Sequence, residues 1–409
     1  MKSRKDERGR ALRKGESQRA SDKRYVYTFT DPQGRRKYIY ARDLLTLREK
    51  EKKLIRDQLD GLDVYEASQA TVNICFDRYI ATKYDLRETT RSNYDYMYNR
   101  FVRKTFGRKL IAKIKYSDVL QFYLYLLREE ELSISTVDAI HNLLHPTFEL
   151  AVKDDIIRKN PATGVMKELK KRTGQTNGVR HALTLEQQRA FMDYVANHPI
   201  YYRWWPLFTV LLGTGCRIGE ALGLTWEDLD YDKRIIHIRR SLVYYPIGES
   251  RKSTYHISKP KTQAGIRTVP MLDVVYDAFQ MAYEEQKEEG PCDSVIDGVS
   301  GFIFMNRFGL VFNPQSINRT LKRIIFHYNE EELFDAKKGK RKPLLLPDFS
   351  CHHLRHTFCT RLCENETNLK VIQSIMGHKS IETTMNIYAE ATDQKKLESI
   401  EKIASLDLF

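Results

Sequence analysis

The spacing of apolar residues changes along the chain, and each spacing predicts a different kind of element. Residues 25–30 and 35–40 are rich in aromatic and β-branched residues and flank the turn-forming segment DPQG, so they predict a β-hairpin. Leucine and isoleucine then recur at helical spacing from Leu44 up to Gly61. The first 60 residues therefore predict a small sheet with one helix, which is too small to form an enzyme by itself.

Residues 71–165 show the 3.6-residue period of amphipathic helices, with predicted helices at 72–84, 89–105, 117–131 and 135–152. Residues 61–70 predict a short linker before this segment. Asn160-Pro161 is expected to end the bundle, and the basic, polar segment 167–178 (KELKKRTGQTNG) is expected to be a second linker. These boundaries divide the chain into domains at 1–60, 71–165 and 180–409.

The last domain mixes helical and strand patterns. Thr184 is a predicted helix cap, and the apolar run 207–212 breaks at Gly213-Thr214-Gly215 before a short helix at 216–222. We predict a strand at 235–238, a β-hairpin with a glycine-containing turn at 258–270, helices at 273–289 and 316–328, and a charged loop at 330–347. The fold class is therefore mainly α with small β elements, in three domains.

Charge points to the kind of partner. The 409-residue chain has a formal net charge of +14 and a pI near 9.3, and residues 1–60 contain 19 Lys and Arg against ten Asp and Glu. Such a balance favours a polyanion, with an anionic membrane as the alternative. The sequence contains neither a signal peptide nor an apolar span long enough to cross a bilayer, which argues against the membrane and for the cytoplasm. We expect the first twenty residues to be disordered until bound.

The six cysteines are scattered, which is typical of reduced thiols in a cytosolic protein and not of a disulfide framework. His356, Cys359 and Cys363 would share one helix face with Cys351 nearby, so a zinc site is an alternative. However, no C-x-x-C motif occurs, and a buried Cys is an ordinary small apolar residue. We therefore predict no metal and no cofactor.

Two segments concentrate side chains suited to phosphate chemistry without a metal. In the first, His352 and Arg355 lie three residues apart on a predicted helix, His378 follows a helix-ending glycine, and Tyr388 lies on a further short helix capped by Ser380. Arg can clamp a phosphate, His can carry a proton, and Tyr can attack phosphorus. In the second segment, Glu220 follows Arg217 by three residues and could orient its guanidinium.

These motifs together resemble the tyrosine recombinase (integrase) family. The pattern is an Arg in T-G-x-R-x-x-E, a hairpin Lys, H-x-x-R-H, G-H and a downstream Tyr, in that order over about the C-terminal 230 residues. Six positions match this pattern: Arg217, Lys261, His352, Arg355, His378 and Tyr388.

The resemblance implies a role for each position. Arg217 and Arg355 would hold the scissile phosphate of DNA, and Tyr388 would attack it to give a 3′-phosphotyrosine and a free 5′-hydroxyl. His352 would take the tyrosine proton, Lys261 would protonate the leaving oxygen, and His378 would donate to a phosphate oxygen. Resolution through a Holliday junction would follow. A type IB topoisomerase shares this catalytic set, and a DNA-binding regulator with a degenerate site is an alternative from another class.

The N-terminal segment resembles the arm-type DNA-binding domain of conjugative-transposon integrases, which lay a three-stranded sheet in the major groove. The run 15–19 before the hairpin strengthens the match. A solvated basic tail beside a structural hairpin is the alternative. The second domain resembles the core-binding domain of the same family, although a plain helical bundle stays open. Candidate DNA contacts are Arg19, Arg24, Arg36, Lys37, Tyr40, Arg91 and Lys104.

The expected partners are double-stranded DNA at core and arm sites, a Holliday junction, further copies of the chain in a tetramer, and an excisionase or DNA-bending accessory protein. Leu397, Ile400 and Ile403 recur at helical spacing near the C-terminus. A helix with this apolar stripe must bury it, either on its own domain or, as the resemblance implies, on a neighbouring protomer.

Overall fold

The computed structural model describes residues 4–30, 36–59, 69–174, 181–246, 253–260 and 265–389. The chain divides into two compact units, Met1–Gly178 and Val179–Phe409. The described part of the first unit consists of β1 (Glu16–Gln18), β2 (Tyr25–Thr30), β3 (Arg36–Ala41), α1 (Leu44–Leu59), α2 (Val72–Ala81), α3 (Glu88–Phe101), α4 (Tyr116–Arg128), α5 (Ile134–Lys153) and α6 (Val165–Thr173).

The N-terminal sheet is antiparallel with the order β1-β2-β3, so the predicted hairpin is confirmed and gains a third strand. Register sets the two faces of the sheet: Tyr25 pairs with Ala41 on the side that packs on α1, and Val26 pairs with Tyr40 on the other side. Tyr25 and Ala41 share a small buried core with Leu44 and Leu47 of α1. The predicted turn at 31–34 lies outside the described residues.

The expected disorder of the first twenty residues is wrong for residues 4–20. The Asp6 carboxylate is buried, and it accepts hydrogen bonds from Tyr25 Oη at 2.9 Å and from Arg10 Nε at 2.8 Å. The buried Glu16 accepts two hydrogen bonds from the Arg48 guanidinium of α1. Two buried carboxylates therefore need this segment folded against the sheet, since an unpaired buried charge is costly.

The helical part of the first unit confirms the four predicted helices, which appear as α2 to α5 within a few residues of the predicted ends. They enclose a separate core whose largest fully buried side chains include Tyr98, Tyr123, Phe76 and Phe148. Tyr98 and Phe76 stack with ring centroids 3.4 Å apart.

The second predicted linker, 167–178, is wrong for residues 167–173, and the predicted end of the bundle at Asn160-Pro161 is also wrong. α6 continues the bundle through Val165, Met166 and Leu169, which are buried in the same core. This apolar face was not recognised from the sequence because basic residues dominate α6. Asn160 stabilises a turn between α5 and α6, because its side chain donates to the His145 carbonyl and accepts from the Ala162 amide. The predicted linker at 61–70 falls mostly outside the described residues.

The second unit is built around a buried helix. Its described elements are α7 (Leu185–Asn197), α8 (Trp205–Thr214), α9 (Ile218–Leu222), β4 (Leu229–Asp230), β5 (Ile235–Ile238), β6 (Ser241–Pro246), β7 (Ser253–Ser258), β8 (Arg267–Pro270), α10 (Asp273–Glu289), α11 (Pro314–Lys338), α12 (Cys351–Asn365), α13 (Leu369–Met376) and α14 (381–389). Most of α8 is buried, and it contacts α7, α10 and α12. Thr184 caps α7, as predicted, by accepting from the Gln187 amide.

The predicted hairpin at 258–270 is wrong in its pairing. β7 pairs with β6, whereas β8 pairs with β5 in a separate three-stranded sheet of order β4-β5-β8. The strands that precede and follow Lys261 in the sequence therefore belong to different sheets. The physical reason is burial: alternate residues of β8, Arg267 and Val269, face the core, and β5 supplies the matching strand.

The predicted charged loop at 330–347 is wrong for its first part, because α11 runs on to Lys338. Specific contacts hold this extension. Tyr194 Oη donates to Glu331, and Glu332 accepts from both the Arg341 guanidinium and the Leu344 amide. Ala336 is buried beneath it. The sequence did not predict this part of α11 as a helix because most of its residues are charged, and contacts on only one side hold it to the rest of the unit.

Candidate active site

Arg217 lies at the turn between α8 and α9. Gly215 ends α8 in the left-handed conformation (φ +62°), and Arg217 then caps α9. As predicted, Glu220 orients this arginine: its carboxylate accepts from the Arg217 side chain at 2.7 Å and from the Arg217 amide at 2.9 Å. The Glu220 side chain is buried, whereas 43% of the Arg217 side chain is exposed. The guanidinium is thus fixed on its inner side and open on its outer side.

Arg355 lies on the first turns of α12 and is almost fully buried. Its Nη1 donates to the Gly215 carbonyl at 2.5 Å, and its Nη2 donates to the Met376 carbonyl at 2.6 Å. Burial, followed by the nearby Arg217, lowers the pKa of Arg355 to about 10, so the side chain keeps its charge at neutral pH. The residue therefore joins α8, α12 and the end of α13 at one point.

His378 follows Gly377, which ends α13 in the left-handed conformation (φ +62°) as predicted. The ring is buried, and its Nδ1 is 2.9 Å from the Thr384 hydroxyl of α14. Burial, and then the charges of Arg355 and Arg217, lower the pKa of His378 to about 4. His378 is therefore neutral at physiological pH. The charges of the two arginines affect its pKa because all three side chains lie in one site.

Tyr388 lies one helical turn beyond Thr384, on the same face of α14. Ser380 accepts from the Glu382 amide at the start of this helix, which confirms the predicted cap. The half-buried ring of Tyr388 packs on a small apolar cluster that includes Ile372 and Met376 of α13. The hydrogen bond between His378 and Thr384 thus ties the tyrosine helix to the two arginines.

His352 precedes Arg355 by one turn of α12, and its side chain is exposed on the helix surface. Its charge contributes to the low pKa of His378, so it belongs to the same cluster. Lys261, the remaining position of the motif, lies outside the described residues. The structure therefore gathers Arg217, His352, Arg355 and His378 around the end of α13.

The side chains considered for zinc have other partners. Cys359 and Cys363 are buried in the apolar cluster that contains Tyr388, and His356 Nδ1 is 3.3 Å from the Thr360 hydroxyl. Among the described residues, no three His, Cys, Asp or Glu side chains form a group that could hold a metal ion.

Sequence analysis missed Arg267, a buried arginine on β8 whose Nη2 donates to Glu220 at 2.9 Å. Burial raises the pKa of Glu220, but Arg267 and then Arg217 outweigh it and lower the pKa to about 2. The alternating pattern of the strand could have revealed it, because Arg267 and Val269 occupy the inward-facing positions. Such a buried cation needs a carboxylate partner.

The DNA-contact candidates of the N-terminal sheet divide between its two faces. Arg36 and Tyr40 are exposed on the face away from α1, and the Arg19 guanidinium lies over the Tyr40 ring at 5.8 Å from its centroid. Arg24 is exposed and lies two residues before Val26, which pairs with Tyr40 on that face.

Lys37 does not belong with them. It pairs with Phe29 on the opposite face, the side that packs on α1, so its contact with DNA stays a prediction that the other candidates on the exposed face do not support. In the helical part of the unit, Lys104 is exposed, and Arg91 is half-buried and donates to the Lys83 carbonyl. Among the described residues, no helix combines the length and apolarity needed to cross a bilayer.

Known proteins share both parts of this architecture. Residues 181–395 match the phage integrase family, and residues 1–58 match the DNA-binding domain of Tn916 integrase. The chain is 30% identical to the transposase from transposon Tn916 of Enterococcus faecalis, over 98% of this chain and 96% of that protein. It is 24% identical to the ICEBs1 integrase of Bacillus subtilis, over 79% of each.

Solved structures agree with the sequence matches. The Tn1549 transposon integrase in complex with transposon right end DNA superimposes with a TM-score of 0.69 at 29% identity, covering 82% of this chain and 100% of that one. A lambda integrase dimer shares the fold with a TM-score of 0.51 at 15% identity, covering 93% and 95%. The chain therefore belongs to the phage integrase family, and it is a tyrosine recombinase of the integrase type.

Proposed function

We propose that Tyr388 is the nucleophile of this integrase and that Arg217, Arg355 and His378 hold the scissile phosphate. The observation that carries the proposal is the cluster around the end of α13: two guanidiniums and a buried imidazole converge there, and the helix of Tyr388 is hydrogen-bonded to that imidazole. Arginines held by buried partners before substrate binds can stabilise the charge of a pentacoordinate phosphorus.

The protonation of His378 supports a role as donor. With a pKa near 4 the ring is neutral, and in the tautomer that we propose, Nδ1 accepts from the Thr384 hydroxyl and the ring hydrogen is on Nε2. Nε2 then donates to a phosphate oxygen. A neutral donor beside two arginines adds no further positive charge to the site.

We propose that His352 takes the phenolic proton of Tyr388 and that Lys261 protonates the leaving 5′ oxygen. Tyr388 attacks phosphorus, its bond to the 3′ phosphate forms, and the bond to the 5′ oxygen breaks. A free 5′-hydroxyl from another strand reverses these steps and releases the tyrosine. The energy of the phosphodiester is kept in the phosphotyrosine, so the proposed chemistry needs no metal, nucleotide or other cofactor.

The substrate that we propose is DNA of a mobile element, of the conjugative-transposon type. The Tn1549 relative was solved with transposon end DNA, and the Tn916 relative matches nearly the whole chain. In this proposal domain 1–60 binds arm sites through Arg19, Arg24, Arg36 and Tyr40. Domain 71–165 binds the core site, with Arg91 and Lys104 contacting phosphates, and domain 180–409 cleaves the DNA strand.

Recombination of two duplexes exchanges four strands, and each cut consumes one tyrosine. We therefore propose that four copies of the chain assemble on DNA and pass through a Holliday junction. An excisionase or a DNA-bending protein would favour excision by holding arm and core sites together. The reaction takes place where chromosomal DNA is, which in a bacterium is the cytoplasm.

The substitution Tyr388→Phe tests the role of the nucleophile. It removes one oxygen, so we expect DNA binding to persist while no denaturant-resistant protein–DNA adduct forms on a nicked suicide substrate. Tyr276→Phe, a half-buried tyrosine of α10, is the matched control and should form the adduct normally. An adduct from the Tyr388→Phe variant would refute the assignment.

A further inference from the structure

Arg267 is a buried arginine beside the site, and it is not part of the recognised motif. Only 4% of its side chain is exposed, on a strand position where an apolar residue would pack without cost. A buried charge loses its hydration and is retained only with good partners. The interactions of Arg267 therefore show what the position is used for.

One partner leads to Arg217. The Arg267 Nη2 atom is 2.9 Å from Glu220 Oε2, and Glu220 Oε1 is 2.7 Å from Arg217 Nη1. The single carboxylate is thus shared between an inner guanidinium, which is buried, and an outer guanidinium, which is open to solvent. Arg267 fixes the carboxylate from behind, and the carboxylate fixes Arg217.

The other partner leads to Arg355 and His378. Arg267 Nε donates to the Ile375 carbonyl at 2.7 Å, and Arg355 Nη2 donates to the next carbonyl, that of Met376, at 2.6 Å. These carbonyls are at the C-terminal end of α13, where helix carbonyls lack partners within the helix. The two guanidiniums therefore cap this end together, directly before Gly377 and His378.

We propose that Arg267 is a positioning residue for DNA cleavage, which locks the Glu220–Arg217 pair to the end of α13 so that Arg217, Arg355 and His378 keep one spacing around the phosphate. The inference rests on the proposed function of those three residues. No contact between Arg267 and DNA is required. The chain Arg217–Glu220–Arg267–Ile375 is the link between α9, β8 and α13.

This role has a consequence for pH. Burial favours the neutral form of Glu220, and Arg267 is the largest opposing influence that keeps it ionised. Without Arg267 the pKa of Glu220 rises, so the carboxylate becomes neutral at a higher pH and releases Arg217. A purely structural loss would lower activity without moving the pH profile.

The test compares Arg267→Met with the wild-type chain in single-turnover adduct formation on a nicked suicide substrate, at several DNA concentrations and from pH 5 to 8. We expect the rate at saturating DNA to fall about 10- to 100-fold, as for the loss of other supporting hydrogen bonds. The half-saturating DNA concentration should change by less than about threefold, because the contacts with bound DNA remain. Because the pKa of Glu220 is about 2 in the wild-type chain, its carboxylate stays ionised from pH 5 to 8, whereas Arg267→Met should lose additional rate toward pH 5 as Glu220 becomes protonated.

Arg240→Met is the matched control, since Arg240 is a half-buried arginine of the same unit that pairs with the buried Asp228 at 2.8 Å. Its loss should cost comparable thermal stability without moving the pH profile. If Arg267→Met cleaves at the wild-type rate, or loses rate only as Arg240→Met does with an unchanged pH profile, the proposal is overturned.

Arg267→Lys decides the matter if Arg267→Met fails to fold. A lysine keeps a cation beside Glu220 but cannot donate to Glu220 and Ile375 in the same geometry. We expect a wild-type pH profile with a reduced rate; a wild-type rate would overturn the proposal. Failure of the proposed function is separate, because it would appear as an adduct through a residue other than Tyr388 in the wild-type chain.

Discussion

At the scale of single residues, the site depends on main-chain atoms as much as on the motif. Arg355 donates to the carbonyls of Gly215, which is itself in the left-handed conformation, and of Met376, which directly precedes the left-handed Gly377. A motif of side chains predicts none of these carbonyls. What it does predict is the set of chemical groups, and Glu220 was correctly placed as the partner of Arg217 because the i,i+3 spacing is local.

Gly215→Ala should destabilise the second unit more than its backbone strain alone requires. A left-handed alanine costs about 1–2 kcal/mol. In addition, a Cβ at Gly215 would lie 2.4 Å from the Phe358 ring, and overpacking typically adds about 1–3 kcal/mol. Gly174→Ala is the control, because Gly174 also ends a helix in the left-handed conformation but has nothing within 4 Å of its Cβ.

Denaturant unfolding of the full-length chain measures the free energy of unfolding that each of the two variants loses. Equal losses for both variants would mean that the packing around Phe358 yields to an added methyl group. Gly215→Ala should also slow cleavage, since the Gly215 carbonyl accepts from Arg355.

The pKa of His378 predicts a pH dependence of stability. The pKa of His378 is about 4 in the folded chain, below the ordinary histidine value of 6.5, so the unfolded chain binds the proton more tightly. The stabilisation is therefore fully present above pH 6.5 and is lost as the pH falls toward 4, by about 3 kcal/mol at most. His378→Gln should flatten the free energy of unfolding over this window.

The loss of stability between pH 4.5 and 2, which comes from the low pKa of Glu220, should persist in the His378→Gln variant. Denaturant titrations of the second unit at stepped pH measure both windows. An unchanged slope between pH 6.5 and 4 would show that His378 titrates normally in the folded chain.

At the scale of elements, local patterns predicted the helices with strong periods, and tertiary contacts decided the rest. The helices at 72–84 and 135–152 were found because their apolar faces are regular. α6 and the end of α11 were missed because charged residues dominate them, and only their few buried residues reveal the packed side. The pairing of β8 with β5 joins strands some 30 residues apart, which no local turn signal specifies.

The register of β2 and β3 gives a prediction for the N-terminal sheet. Arg36 and Tyr40 share the exposed face, and Lys37 lies on the other. Arg36→Ala in the full chain should weaken binding to arm DNA, selected from a random duplex pool, and should lower the salt dependence by about one ion. Tyr40→Ala should weaken binding because Arg19 lies over its ring.

Lys37→Ala is the matched control in the neighbouring position, and it should leave both the affinity and the salt slope unchanged. Fluorescence anisotropy over a range of salt concentrations distinguishes the variants. If Lys37→Ala weakened binding as much as Arg36→Ala, the sheet would not use the face that carries Tyr40.

At the scale of the whole molecule, the chain joins a sheet, a helical bundle and a catalytic unit, each with its own buried core. Sequence alone was sufficient for the family, because five of the six motif positions lie on elements that hold them by local capping and spacing. The sixth, Lys261, lies outside the described residues. The predicted C-terminal helix around Leu397 also lies outside them, so its packing on its own or a neighbouring protomer stays a prediction.

The central claim is that one tyrosine forms the covalent bond to DNA. The wild-type chain, trapped on a nicked suicide substrate and digested with nuclease and protease, should yield one nucleotide-bearing peptide, and tandem mass spectrometry should place the phosphate on Tyr388. The chain has 24 tyrosines, so the position is informative. A phosphate on any other tyrosine, or on a serine or histidine, would contradict the account.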